Sequence, residues 1–288
     1  MQWFGRRESD NVEDGRSGGG GRGFAVGGGI IGLIAAAIYF FTGVDPSQLL
    51  NQVGGNSQPQ TEQVDGTRPT DSAGRFVAVV LADTEDIWTK LFTDMGKTYE
   101  KPRLRLFRDG VQSGCGNASS ASGPFYCPED ARVYIDLSFY DELKNRFGAA
   151  GDFAQAYVIA HEVGHHVQNL MGVTAKMDRE RNRLSESEYN RLSVKLELQA
   201  DFYAGVWAHY EQSMKKVLDP GDIEEALNAA NAIGDDRLQQ QTQGRVEPDS
   251  FTHGTSAQRV YWFKKGYETG DVSQGNTFAD DRYAALVN

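Results

Sequence analysis

Three of the five histidines in the chain fall within one short segment, YVIAHEVGHHVQN at residues 157–169. His161 and His165 are four residues apart and Glu162 lies between them, which is the H-E-x-x-H spacing. On a helix, residues four apart lie on the same face, so two imidazoles can bind one metal ion while the glutamate lies beside them. The spacing therefore predicts a zinc site on a helix.

A second segment, LELQADFYAG, supplies a candidate third ligand, which matters because a catalytic zinc needs three protein ligands and an open position. Glu197 and Asp201 are four residues apart, so Glu197 can reach the metal while Asp201 accepts the second N–H of a ligating imidazole. The alternative is a solvated acidic helix face. The apolar neighbours of both residues indicate a buried position, where an unpaired carboxylate is costly, and favour the ligand interpretation.

The elements around these segments predict an α+β domain that is mostly helical. Apolar residues at helical spacing predict one long helix over residues 76–96, and alternating or β-branched runs predict strands at residues 103–107 and 131–140. From residue 143 onwards the pattern is helical, with several helix start signals. These are Asp152 before the histidine segment, Ser185 with Glu188 for a second long helix that Pro220 stops, Asp222 with Glu225, and Thr255 with Gln258 for a helix that Gly270 closes.

The two motifs AHEVGHHVQN and ELQADFYAG, within residues 150–205, resemble those of a bacterial family of neutral zinc metallopeptidases. The order H-E-x-x-H followed by E-x-x-x-D is more distantly similar to gluzincins such as thermolysin and to membrane-bound proteases. The resemblance implies a zincin-like domain with one catalytic zinc ion. It implies His161, His165 and Glu197 as ligands, Glu162 as the general base, and Asp201 as the partner that holds a ligand histidine.

The late segment THGTSAQR stands at the start of the last predicted helix. Gluzincin-like enzymes carry a late histidine or tyrosine that stabilises the oxyanion, so the resemblance implies that role for His253, with Arg259 as an oxyanion or substrate contact. The alternative for His253 is a structural histidine in a capping loop. His166 and His209 point away from the ligand face. His209 is predicted to be structural, and His166 is predicted either to pack in the core or to support the ligand residues from behind.

The strand at residues 133–137, VYIDL, precedes the histidine helix in the chain. In proteases of this broad class, an edge strand in that position binds the backbone of the substrate by β-addition. The resemblance implies that role here, and a plain core strand is the alternative.

An uncharged apolar run at residues 24–41 predicts a transmembrane anchor over residues 24–42, with a cleaved signal peptide as the alternative. Four arginines precede the run and no basic residue follows it before Arg68, so the positive-inside rule places the N-terminus in the cytoplasm. We therefore expect a single-pass protein of the bacterial inner membrane whose catalytic domain faces the periplasm or the outside. The predicted order is a disordered cytoplasmic tail (1–23), the anchor, a flexible linker (43–74) and the metallopeptidase domain (75–288).

The chain has two cysteines, Cys115 and Cys127, around a loop rich in glycine and serine. In an exported domain, a close pair of this kind indicates a disulfide. The alternative, a pair of thiolate metal ligands, lacks the C-x-x-C spacing. A disulfide is the favoured interpretation.

Composition limits the classes of partner. The formal net charge of −11 repels polyphosphate, and no cluster of Lys and Arg with interleaved aromatic residues occurs, which argues against nucleic acid as a partner. The sequence as a whole predicts a membrane-anchored zinc-dependent endopeptidase that acts on a peptide or protein substrate. Two alternatives remain open: a catalytically silent zinc-binding or scaffolding module, and a hydrolase of a non-peptide amide in the cell envelope.

Overall fold

The computed structural model of this protein describes residues 1–16 and 67–278. Helices dominate this part of the chain and a small sheet packs against them, so the predicted α+β class is confirmed. The helices are α1 (Ser72–Asp94), α2 (Ser138–Asn145), α3 (Asp152–Leu170), α4 (Val173–Arg181), α5 (Glu186–Tyr210), α6 (Asp222–Ala232), α7 (Asp235–Gln243) and α8 (Ser256–Thr269). The strands are β1 (Val12–Asp14), β2 (Arg103–Phe107), β3 (Gly110–Ser113), β4 (Gly116–Ser119), β5 (Phe125–Cys127) and β6 (Arg132–Asp136).

The main sheet has the strand order β1-β2-β6-β5. β1, β2 and β6 run parallel, and β5 runs antiparallel to β6 with Phe125 opposite Tyr134. Because β6 pairs on both sides, the prediction that residues 133–137 form a substrate-binding edge strand is wrong. The edge strand nearest the histidine helix is β5, whose three residues are too few to show a periodic pattern in the sequence.

The strands β3 and β4 form a separate antiparallel hairpin between β2 and β5 in the chain. Cys115, at the turn of this hairpin, forms a disulfide with Cys127 at the end of β5, which confirms the predicted bridge. A small apolar cluster lies beneath the hairpin and contains Phe107, Cys127 and Tyr134. The disulfide therefore ties the hairpin to the edge of the main sheet.

Most predicted helix ends are confirmed, and the exceptions have local causes. α3 begins at Asp152, α5 and α8 carry capping boxes at Ser185 and Thr255, and α8 ends at Gly270 in the left-handed conformation. α5, however, ends at Tyr210 and passes into a wider turn over Glu211–Lys215, well before Pro220.

The predicted cap formed by Asp222 and Glu225 is wrong, because Gly221 precedes the first residue of α6 as its cap. The two carboxylates bond to other parts of the fold. Asp222 accepts from the backbone N–H of Asp219 and from the Met1 ammonium group. Glu225 accepts from the backbone N–H of Phe153 at the start of α3, so it links α6 to the histidine helix.

Two glycines allow the helices that carry the site to approach closely. α3 packs against α5, and α5 packs along α8. A Cβ on Gly164, between the two histidines, would lie 2.9 Å from the carbonyl oxygen of Ala200 on α5. A Cβ on Gly205 of α5 would lie 2.0 Å from the carbonyl oxygen of Phe263 on α8. Since only glycine fits at these contacts, they hold α3, α5 and α8 within side-chain reach of one another.

Residues 1–16 are folded onto the domain, so the prediction of a disordered tail over residues 1–23 is wrong for this part. β1 pairs with β2 in the main sheet. Arg7 donates to Glu85 at 3.1 Å and to Asp86 at 2.6 Å, and Asn11 also donates to the buried Glu85 carboxylate. The charged residues that suggested a solvated tail are thus the partners of carboxylates on α1, a pairing that composition does not reveal.

Residues 24–42, the predicted anchor, and residues 43–66 of the predicted linker lie outside the described residues. The predicted linker ends at residue 74, whereas α1 already begins at Ser72. Among the helices of residues 1–16 and 67–278, none combines the length and the apolar content needed to cross a bilayer. The anchor and the exported location stay predictions. A single membrane crossing between Arg16 and Thr67 would place residues 1–16 and the domain on opposite sides of the membrane, which is incompatible with the contacts between them.

Candidate metal centre and active-site cleft

His161 and His165 on α3 face Glu197 on α5. The Nε2 atom of His161 is 3.2 Å from Oε2 of Glu197, and the Nε2 atom of His165 is 3.4 Å from Oε1 of the same carboxylate. One ligand atom from each of the three residues lies within 4.8 Å of the others. Two imidazoles and a carboxylate that meet at one point suit zinc, so the three predicted ligands fit a single ion of this kind.

The other nitrogen of each ligand histidine is held by a neighbour. Nδ1 of His161 lies 2.8 Å from Oδ1 of Asp201, and Nδ1 of His165 lies 2.9 Å from Oε1 of Gln168. Gln168 donates its amide nitrogen to the carbonyl oxygen of Leu196, so its oxygen is the acceptor for His165. With a metal bound, both imidazoles would carry their proton on Nδ1 and direct a lone pair on Nε2 towards the metal.

Asp201 lies at the centre of a fully buried network. Arg259 donates to it twice, from Nε at 2.8 Å and from Nη2 at 3.0 Å, and the Tyr157 hydroxyl also donates to it. Burial raises the pKa of Asp201, but the Arg259 guanidinium and the His161 hydrogen bond outweigh burial and lower the pKa to about 2. Asp201 is thus a fixed negative charge that orients His161.

Arg259 is 2% exposed and is anchored by protein groups. Besides Asp201, it contacts the Tyr157 hydroxyl at 3.2 Å and the carbonyl oxygen of Ile233 at 3.3 Å. Arg259 also lines the cleft beside His161. Its hydrogen bonds are those of a residue that positions Asp201, and the predicted oxyanion or substrate contact stays a prediction.

Glu162 faces the same cleft as the three ligands. The cleft has a volume of about 590 Å³ and is lined by residues of α3, α5, α7, the edge strand β5 and the loop that carries His253. Burial raises the pKa of the Glu162 carboxyl, while the neighbouring His165 and His161 oppose this rise. A carboxyl with a raised pKa beside a metal site is suited to accept a proton and to return it.

His253 also lines the cleft, on the loop before α8. Its Nδ1 lies 3.2 Å from Oδ1 of Asp235, the first residue of α7. The other oxygen of Asp235 accepts the backbone N–H groups of Thr252, His253 and Gly254, so this carboxylate organises the whole loop. Burial lowers the pKa of His253, but the charge of Asp235 outweighs burial and raises it, which favours the protonated, hydrogen-bond-donating form.

His166 and His209 lie away from the metal ligands, in agreement with the prediction for both. His166 is buried, and burial lowers the pKa of its imidazole. The His166 ring contacts the backbone of Glu100 and the hydroxyl of Tyr126. His209 contacts the carbonyl oxygen of Tyr267 on α8.

Sequence reasoning missed three residues that hold the site: Tyr157, Gln168 and Asp235. Tyr157 stands four residues before His161, and Gln168 stands three residues after His165, so helical spacing held a signal for both. Asp235 gave no such signal, because it is eighteen positions from His253 and meets it only through the packing of α7 against the loop.

Comparison with known proteins identifies the family of the chain. The chain is 54% identical over 286 residues to the uncharacterized protein YpfJ of Escherichia coli (strain K12), which covers 96% of this chain and 99% of YpfJ. It is 42% identical over 250 residues to the uncharacterized protein Rv2575 of Mycobacterium tuberculosis, which covers 82% of this chain and 84% of Rv2575. No solved structure matches the chain. Residues 1–278 match the family described as "Putative neutral zinc metallopeptidase", and the chain therefore belongs to that family, as its motifs predicted.

Proposed function

We propose that this protein is a zinc-dependent endopeptidase in which Glu162 is the general base. The observation that carries the proposal is the convergence of His161, His165 and Glu197 at one wall of a cleft that also contains Glu162. A structural zinc site needs no base, and structural sites are closed by a fourth protein ligand. The open cleft and the buried glutamate therefore favour catalysis over a silent zinc-binding module.

The ligand residues would hold one zinc ion, which in such a site polarises a carbonyl group and makes a water molecule more acidic. Glu162 would accept a proton from the attacking water as the water oxygen bonds to the peptide carbonyl carbon. The same carboxyl would then give that proton to the amine nitrogen as the C–N bond breaks, so the proton is conserved over the reaction.

The remaining cleft residues have supporting roles in this proposal. His253, held by Asp235, would donate a hydrogen bond to the oxygen on which negative charge develops. Arg259 would act through Asp201, by keeping that carboxylate ionised and in place against His161. Activity measurements on His253 and Arg259 variants test these two roles, of which the one proposed for Arg259 differs from the oxyanion or substrate contact that the resemblance implied.

The edge strand β5 favours a polypeptide as the substrate. Phe125 and Tyr126 of β5 line the cleft together with His161 and Glu162. In the main sheet β5 pairs only with β6 among the described strands, so its other edge offers backbone groups to an extended peptide. This recognition uses the backbone of the substrate and suits an endopeptidase better than an enzyme for an isolated amide.

The test uses the purified full-length protein loaded with zinc and mixed with a diverse peptide library, with products identified by mass spectrometry. Glu162→Gln is expected to keep one equivalent of zinc, measured by elemental analysis, and to lower the cleavage rate by about 10²- to 10⁴-fold. Glu186→Gln, an exposed residue on α5, is the matched control and should cleave at the wild-type rate.

Two results would contradict the proposal. Cleavage by Glu162→Gln at the wild-type rate would show that another group is the base. A zinc-loaded wild-type protein that cleaves no peptide in the library would favour the silent module or the non-peptide amide hydrolase.

A further inference from the structure

We propose that His166 is a positioning residue that fixes the edge strand β5 against the metal-binding helix α3 and thereby sets the affinity for the backbone of an extended peptide. The inference rests on the proposed function, because it concerns how a polypeptide substrate would lie along β5. His166 is adjacent in sequence to the ligand His165, so its side chain points about 100 degrees away from the metal around the helix. One turn of α3 thus carries a candidate metal ligand, His165, on one face and the residue that contacts β5, His166, on another.

In a neutral His166 imidazole, the hydrogen bonds around the ring have only one consistent direction. Its Nε2 lies 2.6 Å from the carbonyl oxygen of Glu100, and a carbonyl can only accept, so Nε2 carries the proton. In the neutral ring Nδ1 is then an acceptor, and the Tyr126 hydroxyl, 3.0 Å away, must donate to it. The Tyr126 oxygen in turn accepts from the amide nitrogen of Asn169 at 3.1 Å. These hydrogen bonds form a continuous chain from Asn169 through Tyr126 and His166 to Glu100.

This chain connects three elements that are far apart in sequence. Asn169 and His166 belong to α3, Tyr126 belongs to β5, and Glu100 lies in the segment between α1 and β2. The rings of Tyr126 and His166 also pack edge to face, with centroids 5.4 Å apart. Because a histidine with a fixed tautomer and two bonded nitrogens cannot rotate freely, the Tyr126 side chain is held to a defined position on α3.

The opposite face of β5 is held independently. Phe125 stacks on Tyr134 of β6 with ring centroids 4.9 Å apart, and Cys127 is bonded to Cys115 of the hairpin. Those contacts attach β5 to its own sheet, whereas Tyr126 determines how the sheet edge sits relative to His161 and His165. A peptide bound at the metal position can form backbone hydrogen bonds with β5 only if that second relation is maintained, so its loss weakens binding.

The experiment compares Tyr126→Phe with the wild-type full-length zinc enzyme on one cleaved peptide. Removing the hydroxyl breaks the chain between β5 and α3 and deletes a single atom. We expect KM to rise about fivefold, the size of one lost hydrogen bond, while kcat stays within about twofold. Zinc content should remain one equivalent, because none of the ligands is touched.

Tyr99→Phe is the matched control. The Tyr99 ring also packs edge to face on His166, with centroids 5.7 Å apart, but its hydroxyl has no hydrogen-bond partner among residues 1–16 and 67–278. Tyr99 is buried, and the Tyr99→Phe substitution also removes one hydroxyl oxygen from a tyrosine packed on the same imidazole. Its KM and kcat should match those of the wild type.

A second readout is independent of activity. In protein labelled with ¹⁵N at histidine, the His166 ring should show the tautomer protonated on Nε2 with Nδ1 as a hydrogen-bond acceptor. Tyr126→Phe should shift the Nδ1 resonance, and Tyr99→Phe should leave it in place.

The outcomes separate this inference from the proposed function. A wild-type enzyme that cleaves peptides, with Tyr126→Phe unchanged in KM, overturns the positioning role alone. A His166 ring protonated on Nδ1 overturns the hydrogen-bond chain whatever the kinetics show. A wild-type protein with the expected tautomer that cleaves no peptide overturns the proposed function, and the role of His166 in substrate affinity with it.

Discussion

Two clusters in this molecule place buried carboxylates beside cationic side chains. They differ in how many of the carboxylate oxygens have hydrogen-bond partners. At the metal centre, both oxygens of Asp201 are bonded, to Arg259, His161 and Tyr157. Beneath the N-terminal segment, Asp83 accepts from Arg6 and Lys215 through one oxygen only. Neither oxygen of the nearby Glu211 has a hydrogen-bond partner in the part of the chain that the structure describes.

The difference decides which carboxyl groups are charged at neutral pH. Burial raises the pKa of both Asp201 and Glu211, but complete bonding reverses the effect at Asp201 and leaves it at about 2. At Glu211, burial and the neighbouring Asp83 raise the pKa to about 8, although Arg6 lies 3.8 Å away. Burial alone therefore does not set the charge state, and a carboxylate suited to orient a metal ligand needs every oxygen satisfied.

The largest expected effect on the free energy of unfolding comes from removing Arg259, the cation that pairs with Asp201. Arg259→Met should lower the free energy of unfolding by about 3 to 5 kcal/mol, because it leaves Asp201 buried without its partner. The measurement is urea unfolding of the metal-free protein followed by circular dichroism. The double variant Arg259→Met/Asp201→Asn should recover part of the loss. A single variant as stable as the wild type would show that the two charges are not coupled.

A smaller effect is expected from the N-terminal segment. Arg6→Met should lower the free energy of unfolding by about 1 to 2 kcal/mol, since Lys215 still donates to Asp83 at 2.6 Å. Arg75→Met, which removes a more exposed pair with Glu8, is the control and should cost at most about 1 kcal/mol. If Arg6→Met costs no more than the control, residues 1–16 do not stabilise the domain through this cluster.

A third expected effect on the free energy of unfolding depends on pH. The Glu211 carboxyl has an ordinary pKa near 4.5 when unfolded and about 8 when folded, so between these values the folded protein holds a proton that the unfolded chain has released. The free energy of unfolding then falls as the pH rises through this window. Gln cannot lose a proton, so Glu211→Gln should gain stability relative to the wild type as the pH rises through this window.

Chemical unfolding at a series of pH values measures this difference. Exposed Glu186→Gln, the control, should follow the wild-type curve at each pH. A stability difference between Glu211→Gln and the wild type that stays constant with pH would show that Glu211 is ionised in the folded protein, in contradiction to the contrast with Asp201.

The pairs of side chains at the candidate metal site were largely predictable from local spacing. Residues four apart on one helix share a face whatever the rest of the fold does, so His161 with His165, and Glu197 with Asp201, were placed correctly as pairs. Helix starts at Ser185 and Thr255 were predictable for the same reason, since a cap needs only its own first turn.

Short strands and contacts between distant segments were not predictable in this way. β1 and β5 have three residues each, too few for a periodic pattern, and they are strands only because β2 and β6 lie beside them. This is why the edge strand was assigned to residues 133–137 and why residues 1–16 resembled a disordered tail.

The sequence alone thus specified the candidate ligands and the helix faces that carry them, because the relations His161–His165 and Glu197–Asp201 each depend on spacing within a single helix. Tertiary structure alone determined that Arg259 holds Asp201, that Asp235 holds His253 and that β5 lines the cleft. Arg259 and Asp201 are 58 positions apart, and they meet because Gly205 lets α5 and α8 approach closely. Contacts of that kind depend on the distance between packed elements, which no local pattern of residues encodes.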